Sequence, residues 1–200
     1  MKTEILFPEV ANLCGDLMNV TYLRQCCPEM EVVETGLKDR PAFLDGGVDL
    51  VYVGSATERG LQLMVQALAP YRAELERYVD GGGLMLATGN SLDALGEYVV
   101  IDGKRAFDGL GLLKTHAEYH MMKRHNSFLL GSFQDMEIVG FKSLFGHTYP
   151  DQELADALFR VERGVGRHPG TYAEGFRRGG LMATYLIGPL LPLNPPFTRY

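Results

Sequence analysis

The sequence predicts an α/β fold, a mostly parallel sheet flanked by helices, on three observations. Short apolar runs alternate with helix-period segments through the first half. In Asp49-Leu50-Val51-Tyr52-Val53-Gly54 the largely β-branched and aromatic run from Leu50 to Val53 ends in glycine, as a strand buried on both faces does. Leu84-Met85-Leu86-Ala87 follows a glycine breaker and runs into Thr88-Gly89-Asn90-Ser91, a strand-to-helix turn. Strand, helix, strand, helix requires parallel pairing with crossovers.

Element by element, Lys2 to Phe7 opens as a strand, and the loop Leu13-Cys14-Gly15-Asp16 precedes a helix through Leu23. Glu31 to Thr35 is a second strand and Asp49 to Gly54 a third. Leu61, Met64, Val65 and Leu68 share one helical face, and Leu75, Tyr78 and Val79 continue the pattern after Pro70. Leu84 to Ala87 is the fourth strand, with an apolar helix-like stretch around Leu92 and Leu95. The second half is richer in strands: Gly109 to Thr115, Ser127 to Phe133, Met136 to Phe141 and Gly180 to Leu186. Asp151 to Arg160 reads as a short helix, and the proline-rich end from Gly188 to Pro196 as neither regular helix nor central strand.

The 200 residues carry 19 Lys and Arg against 25 Asp and Glu, a net charge of −6, and 46% are hydrophobic. This is globular composition, and the length suits one domain, 1–200. An acidic chain without a basic cluster is a poor nucleic-acid binder. No apolar run approaches the ~20 residues that span a bilayer. Three cysteines without secretory features suit a reducing cytoplasm, with Cys26 and Cys27 as buried thiols. Cys14, Cys26 and Cys27 lack zinc spacing. His116 and His120 sit on a strand reading, where i and i+4 lie ~13 Å apart, so no metal site is expected. His147 is read as a loop residue, and Lys123-Arg124-His125 as a solvated turn.

In a doubly wound sheet ligands sit beyond the carboxyl ends of the strands. That rule selects Gly54, Ser55, Ala56 and Thr57, then Ala87, Thr88, Gly89, Asn90 and Ser91, then Ile187 and Gly188. These segments resemble the class I glutamine amidotransferases of the CobB/CobQ-like branch, most of all the glutaminase subunits of lipid II isoglutaminyl synthases. Leu13-Cys14-Gly15-Asp16-Leu17-Met18-Asn19-Val20 resembles N-I-Y-G-D-x-G-N-I, and the run from Asp49 to Glu58 resembles D-I-V-x-x-G-G-G-Q-D. Asp108 to Leu113 resembles a G-L-G-L-L segment, and Gly140-Phe141 the start of G-F-E-N-H. Most specific, the run from Ala183 to Pro195 resembles G-T-Y-L-H-G-P-L-L-P-K-N-P almost residue for residue.

The resemblance implies a flavodoxin-like class I amidotransferase fold without a cofactor. It also implies a Mur-ligase-like partner in peptidoglycan amidation, and glutamine hydrolysis by a cysteine in C-x-G-x-Q activated by a late histidine. A thiol attacks as thiolate, so it needs that base; oriented amides must meet the oxyanion. The sequence departs at each point. Matching Ala87-Thr88-Gly89 to C-x-G puts Ala87 at the nucleophile, and a shift by one puts Thr88 there. Ile187 stands for the histidine, and Gly54, Ser55 and Ala56 for the glycine loop.

Three functions follow. The first is a catalytically degenerate amidotransferase-like protein that keeps a ligand or partner site. The second is an enzyme: an active glutaminase subunit, or a divergent hydrolase using Thr88 or Ser91. The third is an interaction protein whose pocket is filled by Ile187 and Met85. For Thr88 and Ser91 the favoured role is N-capping the next helix; for Asp16 and Asn19, turn formation and capping compete with ligand contact.

Overall fold

The computed structural model describes residues 1–150 and 157–200. Strands β1 (Lys2–Leu6), β2 (Glu31–Thr35), β3 (Leu50–Val53) and β4 (Leu84–Thr88) are parallel neighbours in the order β2-β1-β3-β4. The connections carry helices α1 (Met18–Cys26), α2 (Glu58–Leu68) and α3 (Arg72–Asp80). β3 is buried at all four positions, which is why its sequence is apolar without alternation. α2 buries Leu61, Met64, Val65 and Leu68, and Thr57 caps it by accepting from the Gly60 amide at 3.1 Å. After β4 comes the single turn α4 (Ser91–Ala94).

The chain then leaves the sheet. Strands β5 (Tyr98–Ile101), β6 (Lys104–Asp108) and β7 (Thr115–Tyr119) precede the long hairpin β8 (His125–Phe133) and β9 (Met136–Leu144). β10 (Gly146–Pro150), β11 (Phe159–Arg163) and β12 (Ala173–Glu174) complete two four-stranded sheets, ordered β10-β7-β5-β6 and β12-β11-β8-β9. β13 (Phe176–Arg178) and β14 (Leu181–Thr184) return to the first sheet. There β14 lies parallel to β4 with Ala183 opposite Ala87 and Thr184 opposite Thr88. The main sheet is thus β13-β14-β4-β3-β1-β2, antiparallel only at the β13 edge.

Several expectations change. Gly109–Lys114 is not a strand: its amides bond back to Glu97, Ala94, Gly96 and Leu95 carbonyls, so an apolar run is spent bracing the α4 turn. His147 lies in β10, not a loop, and His125 opens β8. Cys26 is exposed and Cys27 only partly buried, because α1 turns that end outward. The proline-rich end forms two single turns, α5 (Leu190–Leu193) and α6 (Pro195–Thr198). Prolines fit there because first-turn residues donate to no helical carbonyl. Of the helix expected over 151–160, residues 151–156 lie outside the described residues, and Phe159 and Arg160 are in β11. No helix among the described residues is long and apolar enough to cross a membrane.

Candidate active-site cleft

The carboxyl ends of β3, β4 and β14 open into a cleft of about 260 Å³. Its walls hold Ser55, Ala56, Thr57 and Glu58 after β3, Gly89 and Asn90 after β4, and Ile187 after β14. Leu13 and Cys14 close one side; Tyr119, Arg124, Ser143, Leu144 and Phe145 come from the second half of the chain. Arg124 is the one lining cation and Glu58 the one lining carboxylate. Arg124, exposed in the turn segment just before β8 as expected, stacks over the Phe145 ring, 4.5 Å from its centroid.

Behind the cleft lies a closed polar network. The Asp16 carboxylate accepts from Thr88 Oγ1 at 2.6 Å, from the Ser55 amide at 2.8 Å and from Asn19 Nδ2 at 3.2 Å. The Tyr52 hydroxyl lies 2.8 Å from Thr88 Oγ1 and accepts from Asn19 at 3.0 Å. Asn19 Oδ1 in turn takes the Leu191 amide at 2.8 Å, tying the cleft floor to α5. Burial raises the Asp16 pKa above the usual carboxylate value, against the pull of these donors. A second buried carboxyl, Asp93, accepts from the hydroxyls of Tyr119 at 2.5 Å and Tyr185 at 2.7 Å, and from Thr148. Its burial pushes its pKa up to about 6 despite those donors.

The residues singled out in the sequence separate into two groups. Ser55, Ala56, Thr57, Gly89, Asn90 and Ile187 meet at the cleft; Gly54, Ala87, Thr88 and Ser91 are buried and line none of it. Thr88 does have a carboxylate, that of Asp16, at its hydroxyl, but both are fully buried and line none of the cleft. Ser91 donates to the Thr88 carbonyl at 2.7 Å, and neither hydroxyl caps α4. The turn residue with a left-handed backbone is Gly89, at φ 64°, the conformation of a nucleophile elbow. A Cβ placed there would stand 3.1 Å from Ile187 Cγ2 and would crowd Ser55 Cβ more closely than real Cβ atoms approach. Met85 is fully buried away from the cleft, so the cleft is not filled by it.

The loop amides are also committed. The Ser55 amide goes to Asp16, and the Ala56 amide donates to Asn90 Oδ1 at 3.0 Å, while Asn90 Nδ2 donates back to the Ala56 carbonyl at 2.8 Å. Cys14 is the one lining thiol, held at φ 61° across the cleft, and no histidine lines the cleft. Among the described residues no group of three metal-ligating side chains forms. Sequence reasoning missed Tyr119, Arg124, Tyr185 and the position of Cys14. Cys14 and Tyr185 stand inside motifs already quoted, whereas Arg124 arrives from the segment before β8 and carries no local signal.

No family model matches the chain. It is 28% identical over 194 residues to the "Lipid II isoglutaminyl synthase (glutamine-hydrolyzing) subunit GatD" of Staphylococcus aureus (strain N315), covering 94% of this chain and 77% of that one. The subunit of the same name from Streptococcus pneumoniae (strain ATCC BAA-255 / R6) is 21% identical over 197 residues, 94% of this chain and 74% of that one. A solved glutamine amidotransferase superposes with a TM-score of 0.63 at 15% identity, covering 98% of this chain and 95% of its own. The chain is a class I glutamine amidotransferase-like protein. A Thermotoga maritima glutamine amidotransferase structure gives a TM-score of 0.60 at 9% identity, over 93% of this chain and 75% of its own. These structures bear out the amidotransferase-type α/β sheet as the fold. Within this amidotransferase-like frame, the cleft geometry stands on the chain's own residues.

Proposed function

We propose that this chain is a catalytically degenerate amidotransferase-like subunit. It keeps the cleft as a binding site and does not hydrolyse glutamine. In this reading the nucleophile position is Gly89, not Ala87 or Thr88, so that Gly89-Asn90-Ser91-Leu92-Asp93 stands against C-x-G-x-Q. The observation that carries it is the crowding at that turn: a side chain at 89 would face Ile187 and collide with Ser55 Cβ. A hydrogen atom at 89 has no lone pair, the Ile187 side chain accepts no proton, and the Ser55 side chain fills the nucleophile's space. The Ser55 and Ala56 amides, already bonded, are not free to receive an oxyanion.

What remains suits recognition. Arg124 and Glu58 supply opposite charges to a small mixed cleft, which fits a ligand carrying both an acidic and a basic group. The named relatives are subunits of a lipid II isoglutaminyl synthase, which supports cytoplasmic work in peptidoglycan amidation beside a Mur-ligase-like partner. Residues 1–200 would act there as one domain.

The test is ammonia release from glutamine by the full chain, alone and with a co-expressed Mur-ligase-like protein. The expected rate equals the uncatalysed background. Saturable, glutamine-dependent release by the chain alone would refute the degenerate reading.

A further inference from the structure

A second cavity of about 250 Å³ lies beside the cleft, where β8, β9 and β10 meet. Arg124, His125, Ser127, Lys142 and His147 contribute to its wall, and no carboxylate is among its lining residues. Arg124 and Leu144 border both cavities. His147 is only 7% exposed, yet neither ring nitrogen has a hydrogen-bond partner among the described residues. A buried polar ring without a partner is an exception that needs a reason. The His125 ring lies against it, centroid to centroid 4.3 Å. Lys142 Nζ, almost fully buried, reaches Glu174 at 2.7 Å and the Gly166 carbonyl at 2.5 Å.

A metal ion does not fit this wall. Two imidazoles are short of a ligand set, and the Lys142 ammonium and Arg124 guanidinium repel a cation. The same charges attract an anion, and two imidazoles with free nitrogens can donate to its oxygens. We propose that this cavity binds a small oxyanion, a phosphate or carboxylate group, gripped by His147 and His125 beside the Arg124 guanidinium, with the Lys142 charge already paired to Glu174.

The titration of His147 agrees with that geometry. Burial first, then His125 and Lys142, push its pKa down to about 4, while the Arg167 carbonyl pulls the other way without completing a hydrogen bond. His168 adds to the downward push. The nearby carboxylates are engaged elsewhere: Glu118, opposite His147 in register, pairs with His116 at 3.7 Å, and Glu174 pairs with Lys142. A bound anion favours the imidazolium, so binding takes up a proton and tightens as pH falls toward the free value.

The inference does not rest on the degenerate reading of the neighbouring cleft. The test is an NMR titration of the full chain, labelled at histidine, with inorganic phosphate and separately with acetate, at about pH 6 and about pH 8. Expected are saturable shifts of the His147 and His125 ring signals, severalfold tighter at the lower pH. Stronger binding of phosphate assigns a phosphate-bearing ligand; stronger binding of acetate assigns a carboxylate. His147→Gln should weaken binding about tenfold, and His125→Gln, at a half-buried position that spares the fold, should weaken it severalfold. The proposal is overturned if neither anion gives a saturable shift at either pH, or if His125→Gln folds and binds as the parent does.

Discussion

The floor of the cleft and its mouth differ in kind. On the floor, Asp16, Asn19, Tyr52 and Thr88 satisfy one another in a buried network. In the cleft wall, Gly89, Ser55 and Ile187 present a hydrogen, a small side chain and a hydrocarbon, which the proposed reading sets where attack and proton transfer would need functional groups. The contrast separates two demands. Holding loops in place needs donors and acceptors matched in low dielectric, and every removal is felt. Reactivity needs only two or three atoms at the surface of that frame, and it can be lost without disturbing what lies beneath.

The largest expected effect comes from breaking the floor. Asp16→Ala leaves the Thr88 hydroxyl and the Ser55 amide without their acceptor, and should cost about 3–5 kcal/mol in urea unfolding. Next is Gly89→Ala, which adds left-handed strain and crowding at Ser55, together about 3 kcal/mol. In a Ser55→Gly background that cost should fall by about 1–2 kcal/mol, a coupling read from a double-mutant cycle. Additive costs would contradict the placement of position 89 against position 55.

A subtler comparison lies in pH. Asp93 has a folded pKa of about 6, above its unfolded value, so its contribution is present in acid and lost as pH rises through 6. His147 has a folded pKa of about 4, below its unfolded value, so its contribution is present above about 6.5 and lost as pH falls toward 4. The two oppose each other across the same window, with Asp16 on the side of Asp93. Asp93→Asn should therefore leave a stability that falls more steeply on acidification from about 6.5 to 4 than the parent's, measured by denaturation at stepped pH. The smallest effect is expected at Cys14→Ser, within about 0.5 kcal/mol, since the exposed thiol packs against little.

The parallel sheet was legible because β3 is apolar throughout, β4 is apolar from Leu84 to Ala87, and turn residues follow each, which periodicity detects. The Gly109–Lys114 segment was not, because its amides serve partners around α4 rather than a neighbouring strand. At the site, the three strand ends were legible from topology. The turn geometry was not: matching to C-x-G offered Ala87 or Thr88, while the left-handed backbone at Gly89, on which the proposed reading rests, has no signature in residue identity except that glycine tolerates it. His147 was misread for a related reason. Its surroundings come from strands distant in sequence, so a local window described it as loop.

The most direct measurement is covalent trapping with an electrophilic glutamine analogue, read by peptide mass mapping. The parent chain is expected to gain no glutamine-protectable adduct at any cleft residue. The chain carrying Ser55→Gly, Gly89→Cys and Ile187→His is expected to label at position 89. A glutamine-protectable adduct on the parent chain, at Cys14 or at any hydroxyl, would contradict the account.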